Sequence, residues 1–381
     1  MKIDDKIRQY LILAGLTGFG SALTSIAGFL KIDDTFGAVL AVSSALAIKT
    51  LGLGVFGIFA PHLLSKTRFR KVLLYSQTAG ALSLFVLLWA LNSGQISFSI
   101  LAIVVSGFPG VILSIVSTSL FKISNPSERS FRKIQGLAGA IAGGSFFAAG
   151  ILSPLLIHNF GITAVLAIDF LTFIVMIAFL TLKPSEWIDS LPTGNPIDKN
   201  ADTRETPFFD DKKLRFILGA IAAYLLIGLL PLIGSSTHSR WAEVMTFQQL
   251  GVGWLWAFES MAETLGSLIY SQITNLGVLN KFLSKTWPTG FLLIPLTLCR
   301  DNFALTALLL LCISSLTLIF FCKVRDDFIL SASRNSEIIN FSAFANVVEK
   351  LIMFASPLVL TPFIGIHFTG YRCGFSSPMA S

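Results

Sequence analysis

An all-α polytopic membrane protein is the fold class this sequence predicts, and three observations carry it. Hydrophobic residues fill 54% of the 381 positions, and Asp, Glu, Lys and Arg together only 13%. Mean hydropathy is +0.76. The apolar residues gather into eleven long runs, and charge collects in alternate loops between them. A hydrocarbon core about 30 Å thick is crossed by roughly 20 helical residues, because a helix satisfies every backbone polar group internally.

The first span, 9–30, follows Lys2, Lys6 and Arg8. It is too long and glycine-rich for a cleavable leader and is expected to remain as the first helix. The second, 36–61, carries Lys49 near its middle and precedes the basic run Lys66, Arg68, Arg70 and Lys71. The third and fourth cover 72–91 and 97–121. The fifth, 134–157, holds Gly136, Gly139, Gly143, Gly144 and Gly150, a small-residue spacing that permits close backbone approach. The sixth, 161–182, contains Asp169. The seventh is 214–234, and the eighth, 248–273, carries Trp254, Trp256, Glu259 and Glu263. The ninth, 282–299, is the weakest, with Trp287 and Pro288 opening a short run that ends at Arg300. The tenth covers 303–322; the eleventh, 343–365, has Glu349 and Lys350 toward its cytoplasmic start.

Twenty-two of the 28 Lys and Arg residues fall in loops on one side, four on the other, and two, Lys49 and Lys350, within spans. This is the positive-inside pattern. It predicts a multi-pass protein of the cell inner membrane with a cytoplasmic N-terminus. The net charge of +7 is therefore topological, and no nucleic-acid partner is expected.

Residues 183–213 form the one long hydrophilic interval, dense in charge and carrying Pro184, Pro192, Pro196 and Pro207, the composition of a solvated linker. It divides the chain into a bundle of six spans at 1–182 and one of five at 214–365, followed by a short tail at 366–381. Two bundles joined by a long cytoplasmic loop form a major-facilitator-like layout.

Local residues sharpen this. Phe131–Leu182 reads FRKIQGLAGAIAGGSFFAAGILSP and then NFGITAVLAIDFLTFIVMIAFL. It resembles the fifth and sixth helices of the enterobactin-exporter and macrolide-efflux branch of the major facilitator superfamily, with Ala167, Asp169, Thr172 and Phe173 matching its A-x-D-x-x-[ST]-F pattern. The second span and its basic loop (Arg68, Arg70, Lys71) also look like that family's. Two departures stand out. Ser65 and Lys66 occupy the stretch where the family's loop normally carries an Asp that helps latch the cytoplasmic side. After the eleventh span the apolar residues run out, so a twelfth helix is missing; either the protein is an eleven-span variant or its reading frame changed near the end.

Ionisable groups inside the membrane cost about 2.5–3.5 kcal/mol each on insertion scales and call for a partner or a water-filled cavity. Glu259 and Glu263 lie four residues apart on one helical face. Two such carboxylates repel when both ionised, so one can titrate near neutral pH and serve as a proton site; a structural bond to a neighbouring helix or to Lys49 is the alternative. In the resembled fold spans two and eleven meet. Lys49 is then expected either to bridge to Glu349 as a gate or to attract an anionic substrate such as a carboxylate or catecholate. Lys350 is expected to reach the headgroups. Trp254 and Trp256 are candidates for an aromatic wall, and Asp169 for a structural bond to a neighbouring helix.

No sequence pattern for catalysis is present, and no GxxxxGK[ST] phosphate loop. His62, His158, His238 and His367 form no ligand cluster, and Cys299, Cys312, Cys322 and Cys373 have no metal spacing. The expected protein is not an enzyme, needs no cofactor or metal, and works as a monomer among membrane lipids. The resemblance implies proton-coupled export of an amphipathic small molecule of siderophore or drug type by alternating access. Import of such a molecule, and a non-transporting or decayed membrane protein, are the alternatives.

Overall fold

Long apolar runs with few internal polar residues fold as helix where no water competes for the backbone, and every regular element among the described residues is helical. The structure, a computed structural model, describes residues 5–36, 39–66, 69–124, 127–182, 210–221, 248–273, 303–332 and 337–352. The ninth span, nearly all of the linker, the tail, Arg68, and the side chains of Trp254, Trp256 and Glu259 lie outside the described residues.

Four helices open the chain: α1 (Asp5–Phe36), α2 (Val39–Lys66), α3 (Phe69–Asn92) and α4 (Ile96–Ser124). The segment Glu128–Leu182 is helical except at Gly161, whose φ of 75° and ψ of 171° divide it into α5 (128–160) and α6 (162–182). A left-handed φ suits glycine. A Cβ there would meet nothing within 4 Å, so conformation and not space selects the residue. Then come α7 (211–221), α8 (Gln248–Gln272), α9 (Phe303–Leu330) and α10 (337–352).

The end of α3 shows how a turn is built here. Gly94, at φ 67°, receives the chain as it leaves the helix. Its N–H donates to the Leu91 carbonyl and the Gln95 N–H to that of Ala90, at 3.4 and 2.8 Å. This is the Schellman arrangement that satisfies terminal carbonyls.

Several helices outrun the apolar stretches that announce them. The fifth begins at 128 rather than 134, the tenth ends at 330 rather than 322, and the eleventh begins at 337 rather than 343. Polar residues at these extensions pair with one another, so the helix continues past the apolar boundary. One consequence follows: Glu349 and Lys350 lie about 18–20 Å along α10 at 1.5 Å per residue, well past its start.

The end of the molecule where α1 begins, called the proximal end here, holds the largest core. Tyr10, Phe69, Phe121, Phe131, Phe321, Phe328 and Phe341 are all buried in it. Phe328 stacks on Phe216 and Phe341, with centroids 4.6 and 4.4 Å apart. This core draws on both α1–α6 and α7–α10; the smaller clusters stay within one set or the other. Ile58, Phe59, Tyr75, Leu82, Phe85 and Leu171 are exposed, an apolar exterior that suits lipid better than water.

The two sets meet along two seams. On α5, a Cβ at Gly136 would lie 2.8 Å from the Ser267 carbonyl oxygen, and one at Gly143 would lie 2.9 Å from the Thr264 nitrogen. Only hydrogen fits, so α5 and α8 touch backbone to backbone, the close approach their glycine spacing predicts. On the second seam, Gly57 of α2 faces Val347 of α10, and Gly54 faces Lys350.

Candidate functional site

Two polar clusters sit where an apolar protein can least hide them, one at mid-depth and one at the proximal end. At mid-depth α1 carries Ser21, Thr24 and Ser25 on successive turns. The Lys49 ammonium on α2 donates to Ser25 Oγ at 2.6 Å, and Ser25 Oγ donates onward to the Ser21 carbonyl at 2.7 Å. Beside it, Asp169 of α6 is fully buried. Thr24 Oγ1 donates to its Oδ2 at 2.6 Å and Thr172 Oγ1 to its Oδ1 at 3.2 Å. Gly20 of α1 leaves room for this: a Cβ there would collide with Asp169 and Thr172. Lys49 lies within electrostatic reach of Asp169 on one side and of Lys350 on the other.

Across the second seam, Lys350 donates to Glu349 Oε1 at 3.1 Å, and both side chains are about one-fifth exposed. Glu349 also lies within electrostatic reach of Arg325 and Cys322 on α9, and Glu263 of α8 within reach of Cys322. Glu263 is exposed in the structure. The α8 face packed on α5 is instead the Ser260, Thr264, Ser267 and Ser271 face.

The proximal cluster joins the two sets directly. Arg132 of α5 donates from Nη2 to Asp327 of α9, and to Glu128 one turn back at 2.7 Å. Lys323 holds the other Asp327 oxygen at 2.9 Å. The preceding residue, Asp326, is fully buried, accepts from Tyr270 Oη at 2.9 Å, and pairs with Arg325. The Asp missing from the loop after α2 is thus not the only means of closing this end. Arg70, in the first turn of α3, does another job: its Nε and Nη2 donate to the Leu180 and Thr181 carbonyls at 2.6 and 2.8 Å, capping α6. Lys71 is exposed.

Of the residues singled out from sequence, the structure brings Lys49 and Asp169 to adjacent positions of α1, Ser25 and Thr24, and sets Lys350 against Gly54 of α2. Asp169, expected to bond a neighbouring backbone, instead accepts from the hydroxyls of Thr24 and Thr172. Lys350 differs from expectation: it pairs with its neighbour Glu349 and faces α2, with Gly54 beside it. Sequence reasoning missed Ser25, Thr24, Arg132, Tyr270, Asp326 and Asp327. Only the DD pair at 326–327, at the end of an apolar helix, offered a signal. Among the described residues no group of three or more His, Cys, Asp and Glu is arranged to hold a metal ion.

No family model and no curated protein matches the chain. Solved structures do. The fold is similar to that of FucP, described as a major facilitator superfamily transporter in the outward conformation, with TM-score 0.67 at 11% identity, covering 97% of this chain and 94% of that one. It is similar to the human organic anion transporter MFSD10, with TM-score 0.63 at 15% identity, covering 93% and 92%. A bacterial homologue of the iron transporter ferroportin, in an outward-facing state, gives TM-score 0.63 at 12% identity, covering 95% of each chain. At such identities what is shared is the fold, an all-helical major facilitator arrangement spanning nearly the whole of each chain.

Proposed function

We propose that this chain, with its major facilitator fold, is a secondary transporter that carries an amphipathic small molecule across the inner membrane by alternating access. One observation carries the reading: the two helix sets touch through two glycine seams and, among the described residues, are joined at the proximal end by the Arg132–Asp327 ion pair and a shared aromatic core. Glycine seams let the sets slide without large side chains unlocking. Arg132 is buried but Asp327 is half-exposed, so solvent screens the pair toward the low values of about 0–1 kcal/mol typical of surface pairs and cargo can open such a clasp. With the basic loops inside the cell, the proximal end is cytoplasmic and the structure is closed toward the cytoplasm. That agrees with its likeness to FucP and the ferroportin homologue in outward states.

Export coupled to protons, of siderophore- or drug-type cargo, is the finer reading. It rests on the sequence resemblance and on Glu259 and Glu263 as the titrating pair, within a six-plus-five bundle division at the 183–213 linker. Trp254 and Trp256 precede that pair on α8 and would face the cargo with it. In reconstituted vesicles bearing an inward proton gradient, wild-type protein drives substrate flux, and Glu259→Gln with Glu263→Gln uncouples it. Flux unchanged in the double variant removes these carboxylates from the mechanism. Comparing right-side-out with inverted vesicles decides direction.

The solved neighbours carry unlike cargoes: an organic anion, fucose with a proton, and iron in the case of the ferroportin homologue's namesake. The fold therefore does not select the cargo, and the side chains of the mid-depth site must.

A further inference from the structure

We propose that the closed proximal end is a collapsed cargo passage, lined by Arg132 and Gln135 of α5 and by Ser342 and Asn346 of α10. This rests on the transporter reading above and names the residues that cargo meets at that end.

Arg132, Gln135, Ser342 and Asn346 are all less than one-tenth exposed. Yet Arg132 Nε and Nη1, Gln135 Nε2, Ser342 Oγ and Asn346 Oδ1 have no hydrogen-bond partner among the described residues. A buried donor or acceptor without a partner is costly, and folded proteins keep few of them. Here they fall in pairs on two helices from opposite sets. Each pair lies about 6–14 Å from the proximal start of its helix at 1.5 Å per residue.

The faces of both helices are assigned by their contacts. On α5, Gly136, Gly139 and Gly143 pack on α8, Ser145 donates to the Gly15 carbonyl of α1, and Lys133 is exposed. Helical spacing then puts Arg132 and Gln135 on the buried side between α8 and α1. On α10, Phe341 and Phe344 join the aromatic core, Val347 and Lys350 meet α2 at Gly57 and Gly54, and Leu351 is exposed. Ser342 and Asn346, one turn apart, take the remaining buried side, with Asn346 Oδ1 bordering the Gly57 seam.

Side chains lining a wet passage need no protein partner while it is open, and lose their water when the sets close over them. That is the pattern at the end where Arg132 holds Asp327. The α5 wall offers N–H donors, and the α10 wall an amide oxygen and a hydroxyl. Cargo bearing oxygen acceptors beside O–H or N–H donors suits such walls. Thr17 and Ser21 of α1 and Gln77 of α3 carry partnerless atoms too. Gln77 lies within the first set, a turn from Gly80, which faces Pro109 of α4 and Phe173 of α6, and serves as the control.

The test uses the full chain, freed of its native cysteines, in inverted membrane vesicles, where a membrane-impermeant methanethiosulfonate reaches the proximal end. Gln135→Cys, Ser342→Cys and Asn346→Cys should label slowly. Adding Asp327→Ala, which breaks the clasp, should speed labelling at all three by about fivefold and leave Gln77→Cys unchanged. Gln135→Leu and Asn346→Leu each remove a buried unpaired group, so they should keep or raise thermal stability while slowing vesicle uptake of 6-carboxyfluorescein. Leucine variants that lose stability yet transport at the wild-type rate would assign these residues to packing. An equal rise at Gln77→Cys would mean general loosening and overturn the passage. Labelling unchanged at all three sites, with the dye still moved by wild type, would overturn the passage and leave the transporter standing. Unchanged labelling with no dye moved would count against both proposals.

Discussion

Asp169 illustrates what a single residue decides in this protein. It is a carboxylate in the middle of an apolar helix, buried completely and holding two threonine hydroxyls from α1 and its own helix. Such a group stays only because its partners replace water. Asp169→Ala removes the carboxylate that accepts from Thr24 Oγ1, while Thr172 Oγ1 keeps the main-chain carbonyl of residue 169 as acceptor, and should cost about 1–3 kcal/mol of stability. Asp169→Asn, which keeps an oxygen acceptor, should cost less. Thermal unfolding in detergent distinguishes them, and equal loss for both would show that charge and not hydrogen bonding matters here. Arg132 and Asp327 present the opposite case. Asp327 is 42% exposed on its side chain, so solvent screens the pair. A double-mutant cycle with Arg132→Ala and Asp327→Ala should return about 1 kcal/mol of coupling. A coupling near zero would remove this pair from the proximal clasp.

At the scale of helices, the α5 and α8 pair is the element most sensitive to volume. Gly143 leaves space only for hydrogen, with Thr264 nitrogen and Ser260 oxygen at 2.9 and 3.0 Å from where its Cβ would be. Gly144, the next residue, points where nothing lies within 4 Å. Gly143→Leu should therefore push α8 away and abolish transport, while Gly144→Leu is tolerated, since only the first meets backbone that cannot yield. Parallel flux and size-exclusion measurements on the two variants check this, and equal behaviour would mean that the seam does not bear the motion. The glycine spacing was visible in the sequence, and so was its use for close approach. Which of five glycines face α8 was not visible. One helix presents residues in every direction, and only the position of its neighbour assigns a face.

The whole molecule is two sets of helices packed on each other through glycine seams and joined by side chains at the proximal end. If the proximal clasp is the gate, cysteines at 132 and 327, joined by a short bis-maleimide in a background free of other cysteines, should lock one state. Transport should stop on cross-linking and persist in either single-cysteine variant treated the same way. Transport that continues after complete cross-linking would show that the halves need not separate at that end. Much of the fold was legible beforehand: the helical class, the placement of the described spans to within several residues, and the meeting of the second and eleventh spans. The site was legible only in part. Lys49, Asp169 and Glu349 stood out as charges in apolar surroundings, whereas Ser25 and Thr24 are ordinary small polar residues in a helix. Arg132, Asp326 and Asp327 read as loop charge because the apolar runs stop before them.

What the sequence determined by itself is what depends on solvent: apolar runs of this length must be helices in lipid. Tertiary structure decided what depends on distance across the chain. Gly54 of α2 meets Lys350 of α10 across about 300 positions of sequence, and Thr24 of α1 meets Asp169 of α6. Arg132 meets Asp327 at an end where neither helix announced a partner. Hydrophobicity is a property of each residue and can be read along a string. A charge in a membrane acquires its meaning from the counter-charge beside it, and that neighbour is chosen by packing.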